Sequence, residues 1–180
     1  MNLDMLLLGL LRNRTASGYD LAREIHDEER HLWRASTSQI YATLRRLEQQ
    51  GLLNSRAARS RKGPARRLYR LRAEGHDHLQ NFLDDVTTHE AERVPWLARL
   101  RVIDSAETET ARRLLGQAHA GLLRESVRLR ALLDEGGNDK DPTTPSFYRL
   151  ATLQCALSTA QLRLKWCEQT LEELAAAQDP

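Results

Sequence analysis

Eleven of the chain's 27 basic residues fall between Arg34 and Arg72: Arg34, Arg45, Arg46, Arg56, Arg59, Arg61, Lys62, Arg66, Arg67, Arg70 and Arg72. Glu48 is the one acid in that stretch, so the segment carries +10 and the remainder of the 180 residues carries −8. The overall charge of +2 conceals this separation. A concentrated cationic segment on an otherwise acidic chain is what a polyanion-binding face looks like in sequence. Nearly all of these bases are arginine, whose guanidinium forks onto phosphate oxygens and guanine edges better than a lysine ammonium does. An arginine-favouring genome would enrich the same residue.

No other arrangement of side chains offers competing chemistry. His76 and His78 lack a nearby cysteine or acid set with metal-ligand spacing, so no metal is expected. No glycine-rich phosphate loop, Ser/His/Asp set or Cys/His pair is present, and Asp84-Asp85 reads as helix surface. The chain is therefore read as a non-enzyme with no cofactor. Cys155 and Cys167 cannot form a disulfide framework and fit a reducing compartment. The longest apolar run, Met5 to Leu11, follows Asp4 and precedes no small-residue cleavage site. No run approaches the length of a membrane span. The expected location is the cytoplasm, without membrane association.

The elements around the cationic segment follow from periodicity and capping. Leu3, Leu6, Leu7, Leu10 and Leu11 make an apolar face on a helix over Asn2 to Arg12. Ser17 is an N-cap for a second helix from Gly18 to about Glu28, with Tyr19, Leu21, Ala22 and Ile25 inward. A third helix begins at Ser36-Thr37-Ser38 and ends before Gly51. Its buried stripe is Ile40, Leu44 and Leu47. Its opposite face is Ser38, Ala42, Arg45 and Gln49, flanked by Gln39, Tyr41 and Arg46. Two short strands, Leu52 to Ala58 and Arg66 to Leu71, enclose a basic turn from Arg59 to Pro64. A fourth helix runs from near Ala73 to about Arg93, with Leu79, Phe82, Leu83 and Val86 on its apolar stripe.

Three helices followed by a two-stranded wing form a winged helix-turn-helix, whose third helix suits a DNA major groove. Ser38, Gln39 and Arg45 are assigned to bases or their immediate surroundings. Ser36 and Thr37 lie at the helix start, and Thr37, Tyr41 and Arg46 are assigned to phosphate. Arg59, Arg61, Lys62 and Arg66 are wing contacts to backbone or minor groove.

The same stretch resembles the PadR family of transcriptional regulators. The resemblance rests on Leu8-Gly9-Leu10-Leu11, Ser17-Gly18-Tyr19-Asp20-Leu21, the run from Ser38 to Glu48, and Gly51-Leu52-Leu53. Gly63-Pro64, Arg66-Arg67, Tyr69-Arg70-Leu71 and Glu74-Gly75 extend it, over about the first 85 residues. The remainder is similar to the family's longer virulence-activator-type C-terminal dimerisation domain, through Leu164-Lys165-Trp166 and Leu171-Glu172-Glu173-Leu174. Arg72 stands where the family usually places a capping Thr, and Thr37-Ser38-Gln39 differs from its usual set. The resemblance implies a dimeric repressor, less often an activator. It also implies that a small molecule, phenolic acids being the family's known case, releases the DNA.

The expected fold is mostly α: a winged helix-turn-helix over 1–93 with a two-stranded wing, then a helical dimerisation domain over 94–180. In that second domain Trp96, Leu100 and Ile103 indicate a short helix, and a longer one spans about Ala106 to Glu135. Gly136 to Pro145 is a loop. A last helix over Ser146 to Ala177 carries a heptad-like seam. From that helix Leu150, Leu153, Leu157, Leu164, Trp166, Cys167, Leu171 and Leu174 are assigned to a homodimer interface. Trp33, Phe82, His89 and Trp96 are assigned to a pocket for a planar effector, although hydrophobic core near the domain junction is the more ordinary role for both tryptophans. The expected partners are double-stranded DNA, a second copy of the chain and a small-molecule effector. The function these readings give is a dimeric, sequence-specific transcriptional regulator at a near-palindromic operator. The alternative is a winged-helix protein-interaction module whose wing meets an acidic partner.

Overall fold

The structure, a computed structural model, describes residues 3–58, 66–85, 94–104 and 107–177. The chain divides into two compact units, Met1–Glu90 and Ala91–Pro180.

The first unit contains α1 (Leu3–Leu10), β1 (Ala16–Ser17), α2 (Gly18–Asp27), α3 (Thr37–Gln49), β2 (Leu53–Ala58), β3 (Arg66–Leu71) and α4 (Ala73–Asp84). Helix α1 is apolar almost all round and buries Leu3, Met5, Leu6, Leu7 and Leu8, which makes it the central helix. Leu7, Leu8, Leu11, Leu21, Ile25, Ile40, Leu44, Leu47 and Leu53 form the sealed part of the core. The stripe expected on α3 is thus its buried face.

Local chemistry starts and stops these helices where the sequence indicates. Ser17 and Ser36 cap α2 and α3, each in a reciprocal capping box with the residue three positions on, Asp20 and Gln39. Helix α3 stops at Gly51, whose φ of 76° is open to glycine at little cost. The Leu52 N–H then reaches back to the Leu47 carbonyl (3.0 Å), and the Gly51 N–H to that of Glu48 (3.0 Å). This closure satisfies the last carbonyls and turns the chain into β2. At the start of α4, Arg72 makes no side-chain cap, as its place in the motif implied.

The wing is a three-stranded antiparallel sheet in the order β1-β3-β2. The expected hairpin pairs Leu53 with Leu71 and Ala58 with Arg66. The third strand was not expected: Ala16 and Ser17 pair with Tyr69 and Leu68. Two further expectations are corrected. Tyr19, expected inward on α2, is 56% exposed. Helix α4 ends at Asp84 with an extended Asp85, short of Arg93, and Leu83 is half exposed. Val86 lies outside the described residues.

The second unit contains α5 (Pro95–Arg101), α6 (Thr108–Glu135) and α7 (Pro145–Ala176). The Arg112 guanidinium donates to the Leu174 carbonyl (2.7 Å), and His119 Nε2 meets Glu168 Oε1 (3.0 Å). Further along, Leu129 packs with Leu153 and Leu157, so α6 and α7 run antiparallel. Their lengths of 28 and 32 residues correspond to about 42 and 48 Å. Asp139 fastens the connecting loop by accepting from the hydroxyls of Thr144 and Ser146 and from the Asp141 N–H. Those bonds hold its carboxyl below the usual carboxylate range.

Candidate nucleic-acid interface

The outward side of α3 presents Thr37, Ser38, Ala42, Arg45 and Gln49, all exposed. With Ile40, Leu44 and Leu47 buried, helical geometry points this row away from the core. It offers hydroxyls, an amide and a guanidinium, and no carboxylate. Arg45 is its one cation and can donate two parallel hydrogen bonds to a guanine edge.

The structure corrects the role assigned to Gln39. The Ser36 N–H donates to Gln39 Oε1 (2.8 Å), and the Ser36 hydroxyl donates to the same oxygen (3.1 Å). The Gln39 N–H donates back to Ser36 Oγ (3.2 Å). The cap therefore occupies the acceptor half of the fork with which a glutamine would read adenine. Ser36, placed in the contact set, is the other half of that cap.

Arg46 is corrected as well. Its Nη1 and Nη2 fork onto Asp4 Oδ2 and Oδ1 at 2.9 and 2.6 Å. Hydrogen bonding to Asp4 is the main reason its charged form is held even more firmly than usual. Arg46 ties α3 to α1 instead of presenting a free cation to phosphate. Tyr41 is half-buried, with its ring over the start of α2. A Cβ at Gly18 would come within 2.5 Å of that ring, so the glycine permits the contact.

In the wing, Arg59, Arg61 and Lys62 lie outside the described residues. Arg66 is described, and its guanidinium stacks 5.5 Å above the Tyr19 ring. Strand alternation puts Arg66, Leu68 and Arg70 on the face opposite Tyr69 and Leu71, and the pairing places Asn54 and Arg56 on that same face. Arg56 and Arg70 are exposed, and sequence reasoning left them out. Strand alternation from the apolar Leu53 and Leu71, which puts Ser55, Ala57, Arg67 and Tyr69 on their face, would have left Arg56 and Arg70 on the outward face. Tyr19 was missed because an aromatic on an amphipathic helix counts as apolar.

Residues 7–81 match the transcriptional regulator PadR-like family, and residues 92–175 match the virulence activator alpha C-terminal family. The first unit is thus similar to the PadR-like family and the second to the virulence activator alpha C-terminal family, each match covering less than half of the chain. The negative transcriptional regulator PadR of Bacillus subtilis (strain 168) is 32% identical over 77 residues, spanning 43% of this chain and 42% of that protein. The match therefore covers less than half the length of that relative. Among solved structures, B. subtilis PadR in complex with operator DNA superposes with a TM-score of 0.81 at 23% identity, covering 96% of this chain and 98% of that one. The same protein in complex with p-coumaric acid gives 0.74 at 23% identity, covering 96% and 95%. The Vibrio cholerae virulence activator AphA gives 0.75 at 23% identity, covering 98% and 99%. These likenesses establish the fold as a winged helix-turn-helix with a helical C-terminal domain.

In the second unit, part of the expected dimer seam is already covered within the chain. Leu153, Leu157, Ala160 and Cys167 are buried within a single chain, and α6 supplies Ala111, Leu115 and Leu129 against α7. Leu150, Leu164, Leu171 and Leu174 are partly buried along the same side. The inward seam already has its partner, so its sealed residues cannot also meet a second copy. Burial also pushes the Cys167 thiol pKa up, which suits packing and opposes reactivity. The other side of α7 is open and apolar. Tyr148, Cys155 and Leu162 recur every seventh residue, followed by Trp166, and all four are exposed. Only Trp166 of the assigned set lies on it. On α6, Leu123 and Val127 are open as well.

The residues assigned to an effector pocket are distributed over both units. Trp33 and Phe82 pack against the core of the first unit. Trp96 belongs to the second, where its ring centroid lies 5.8 Å from that of Trp166. His89 lies outside the described residues. A cavity of about 390 Å³ is lined by other residues, among them Leu133, Asp134, Gly137, Phe147 and Leu150 at the α6–α7 tip. Among the described residues no group of three or more His, Cys, Asp or Glu side chains could hold a metal. No described helix is long and apolar enough to cross a membrane.

Proposed function

We propose that this protein is a homodimeric, sequence-specific repressor that reads a near-palindromic operator, one half-site per subunit. The observation that carries this reading is the outward row of α3, polar, free of acids and centred on Arg45, beside a strongly cationic wing. Arg45 and Ser38 specify sequence at or near base edges, and Thr37 and Tyr41 hold adjacent backbone. Arg66 on Tyr19, with Arg56, Arg70 and the basic run Arg59-Ser60-Arg61-Lys62 in sequence, neutralises flanking phosphates. The complex of B. subtilis PadR with operator DNA supports the assignment by fold.

The dimer forms through the outward stripe of α7, Tyr148, Cys155, Leu162 and Trp166, because the inward seam is filled by α6. Two-fold symmetry then matches the two half-sites. A small planar molecule of phenolic type relieves repression, a reading supported by the complex of B. subtilis PadR with p-coumaric acid. The protein acts in the cytoplasm, in keeping with two free cysteines.

Hydroxyl-radical footprinting on the DNA upstream of the protein's own gene tests the reading. Two protected half-sites about one helical turn apart are expected. Uniform protection without boundaries would contradict it. Adding p-coumaric acid should abolish the footprint, and a footprint unchanged at saturating acid would remove the effector reading alone.

A further inference from the structure

Glu48 is the one carboxylate in the cationic segment from Arg34 to Arg72, and it faces into the domain from the C-terminal half of α3. Its Oε1 accepts from the Ser55 hydroxyl on β2 at 2.6 Å. Arg67 on β3 donates from Nη2 to the same Oε1 at 3.0 Å. Arg67 also donates from Nε to Ser55 Oγ at 2.6 Å. These three bonds close a ring of side chains joining the recognition helix to strands β2 and β3 of the wing. Arg67 is further seated over the Tyr69 ring, 5.9 Å from its centroid, and Tyr69 is buried. The strand residues come from the face turned toward α3, the one carrying Leu53, Ser55, Arg67, Tyr69 and Leu71. The guanidinium of Arg67 is thus committed to the joint, unlike those of Arg56, Arg66 and Arg70 on the opposite face.

We infer that Glu48 is a specificity-determining positioning residue, which fixes the wing relative to the recognition helix and holds back non-specific attraction to DNA. The inference rests on the DNA-binding reading above. Two effects of opposite sign lead to it. A wing held at one angle to α3 can meet backbone while Arg45 meets a base edge, and only the correct site satisfies both. A free wing meets any phosphate. Meanwhile, a carboxylate within a +10 segment lowers attraction to every duplex alike. Glu48 therefore favours the specific complex by geometry and disfavours the non-specific one by charge.

Full-length variants separate the two effects in fluorescence anisotropy against operator and scrambled duplex at fixed salt, with thermal melting to confirm folding. Glu48→Ala removes joint and charge. Its operator affinity should fall and its scrambled-DNA affinity rise, reducing the specificity ratio on the order of tenfold, about 1.4 kcal/mol. Glu48→Gln keeps a carbonyl oxygen for Ser55 and Arg67 but removes the charge, so both affinities should rise together and the ratio should stay within about twofold. Ser55→Ala loosens the joint without changing any charge, and should lower operator affinity while leaving scrambled DNA unchanged. If the wild type discriminates and the ratio survives in all three variants, Glu48 does not set specificity and the inference is overturned alone. If the wild type itself fails to discriminate, the DNA-binding reading falls and the inference with it. Should Glu48→Ala fail to fold, Glu48→Gln and Ser55→Ala still decide the outcome, because their expected patterns differ.

Discussion

Leu162→Glu should dissociate the dimer without unfolding the subunit. Leu162 leaves 68% of its surface open in the single chain, on the outward stripe of α7. Fully burying a leucine contributes about 1.5–3 kcal/mol, so sealing the open two-thirds contributes about 1–2 kcal/mol per copy. A two-fold interface contains the residue twice. Losing both contributions costs about 2–4 kcal/mol, a rise in dimer dissociation constant of roughly 30- to 1,000-fold. A carboxylate at an apolar contact adds a desolvation penalty to that minimum. Leu157→Ala is the control on the same helix. Leu157 is 5% exposed and packed against Leu129 and Leu153, so truncation should cost about 2–5 kcal/mol of folding stability. Sedimentation velocity over a dilution series reads the first effect, and thermal melting reads the second. The expected result is a well-folded Leu162→Glu monomer beside a less stable Leu157→Ala dimer. An unchanged dimer for Leu162→Glu, with dissociation of folded Leu157→Ala, would refute the reasoning and restore the inward seam as the interface.

Three further outcomes follow from individual contacts. Ser126 buries its hydroxyl oxygen with no partner among the described residues, so Ser126→Ala should be neutral or stabilising by up to about 1 kcal/mol in denaturant titration; a clear loss of stability would contradict this. A thiol-specific chromogenic reagent should modify exposed Cys155 in the native protein and reach buried Cys167 only on unfolding, with Cys155 slowing as concentration favours the dimer; rapid native labelling of both would count against the packing described. Hydrogen bonding from Ser17 is the main cause that lowers the Asp20 carboxyl pKa. The capping box should therefore stabilise α2 fully above the ordinary carboxylate range and lose that stabilisation as pH falls through the lowered value. Asp20→Ala should flatten the acid limb of a stability–pH profile, and an unaltered limb would show that Asp20 does not contribute there.

Local signals made much of this molecule legible from residues alone. Ser17 and Ser36 announce their helices because a hydroxyl three residues before a free N–H is a short-range device. Gly51 marks the end of α3, and Gly136-Gly137 that of α6, for equally local reasons. What escaped depends on partners distant in sequence. Arg46 looked like a free cation because Asp4 is 42 residues away. Gln39 looked free for a base because its composition suits one, and only geometry shows it turned back on Ser36. Strand β1 is two residues long and leaves no periodic trace. Its pairing nevertheless brings the start of α2, and so Tyr19, beside Arg66. The heptad side of α7 was readable as an apolar side, but an apolar period does not say which helix covers it. Helix α6 carries leucines of its own and fills it first, so the face left open is the one whose pattern is weaker.

The most direct test of the central claim, that the outward row of α3 reads DNA sequence, is the effect of Arg45→Ala on specificity. Anisotropy of labelled upstream duplex, with scrambled duplex as competitor at physiological salt, gives the ratio of specific to non-specific affinity. The account predicts tight wild-type binding that survives competitor. Replacing Arg45 should then lower specific affinity by about 1–3 kcal/mol, roughly 5- to 150-fold, with scrambled-DNA affinity reduced far less. Equal loss on both duplexes would make Arg45 a phosphate contact. An unchanged ratio would contradict the account at its centre.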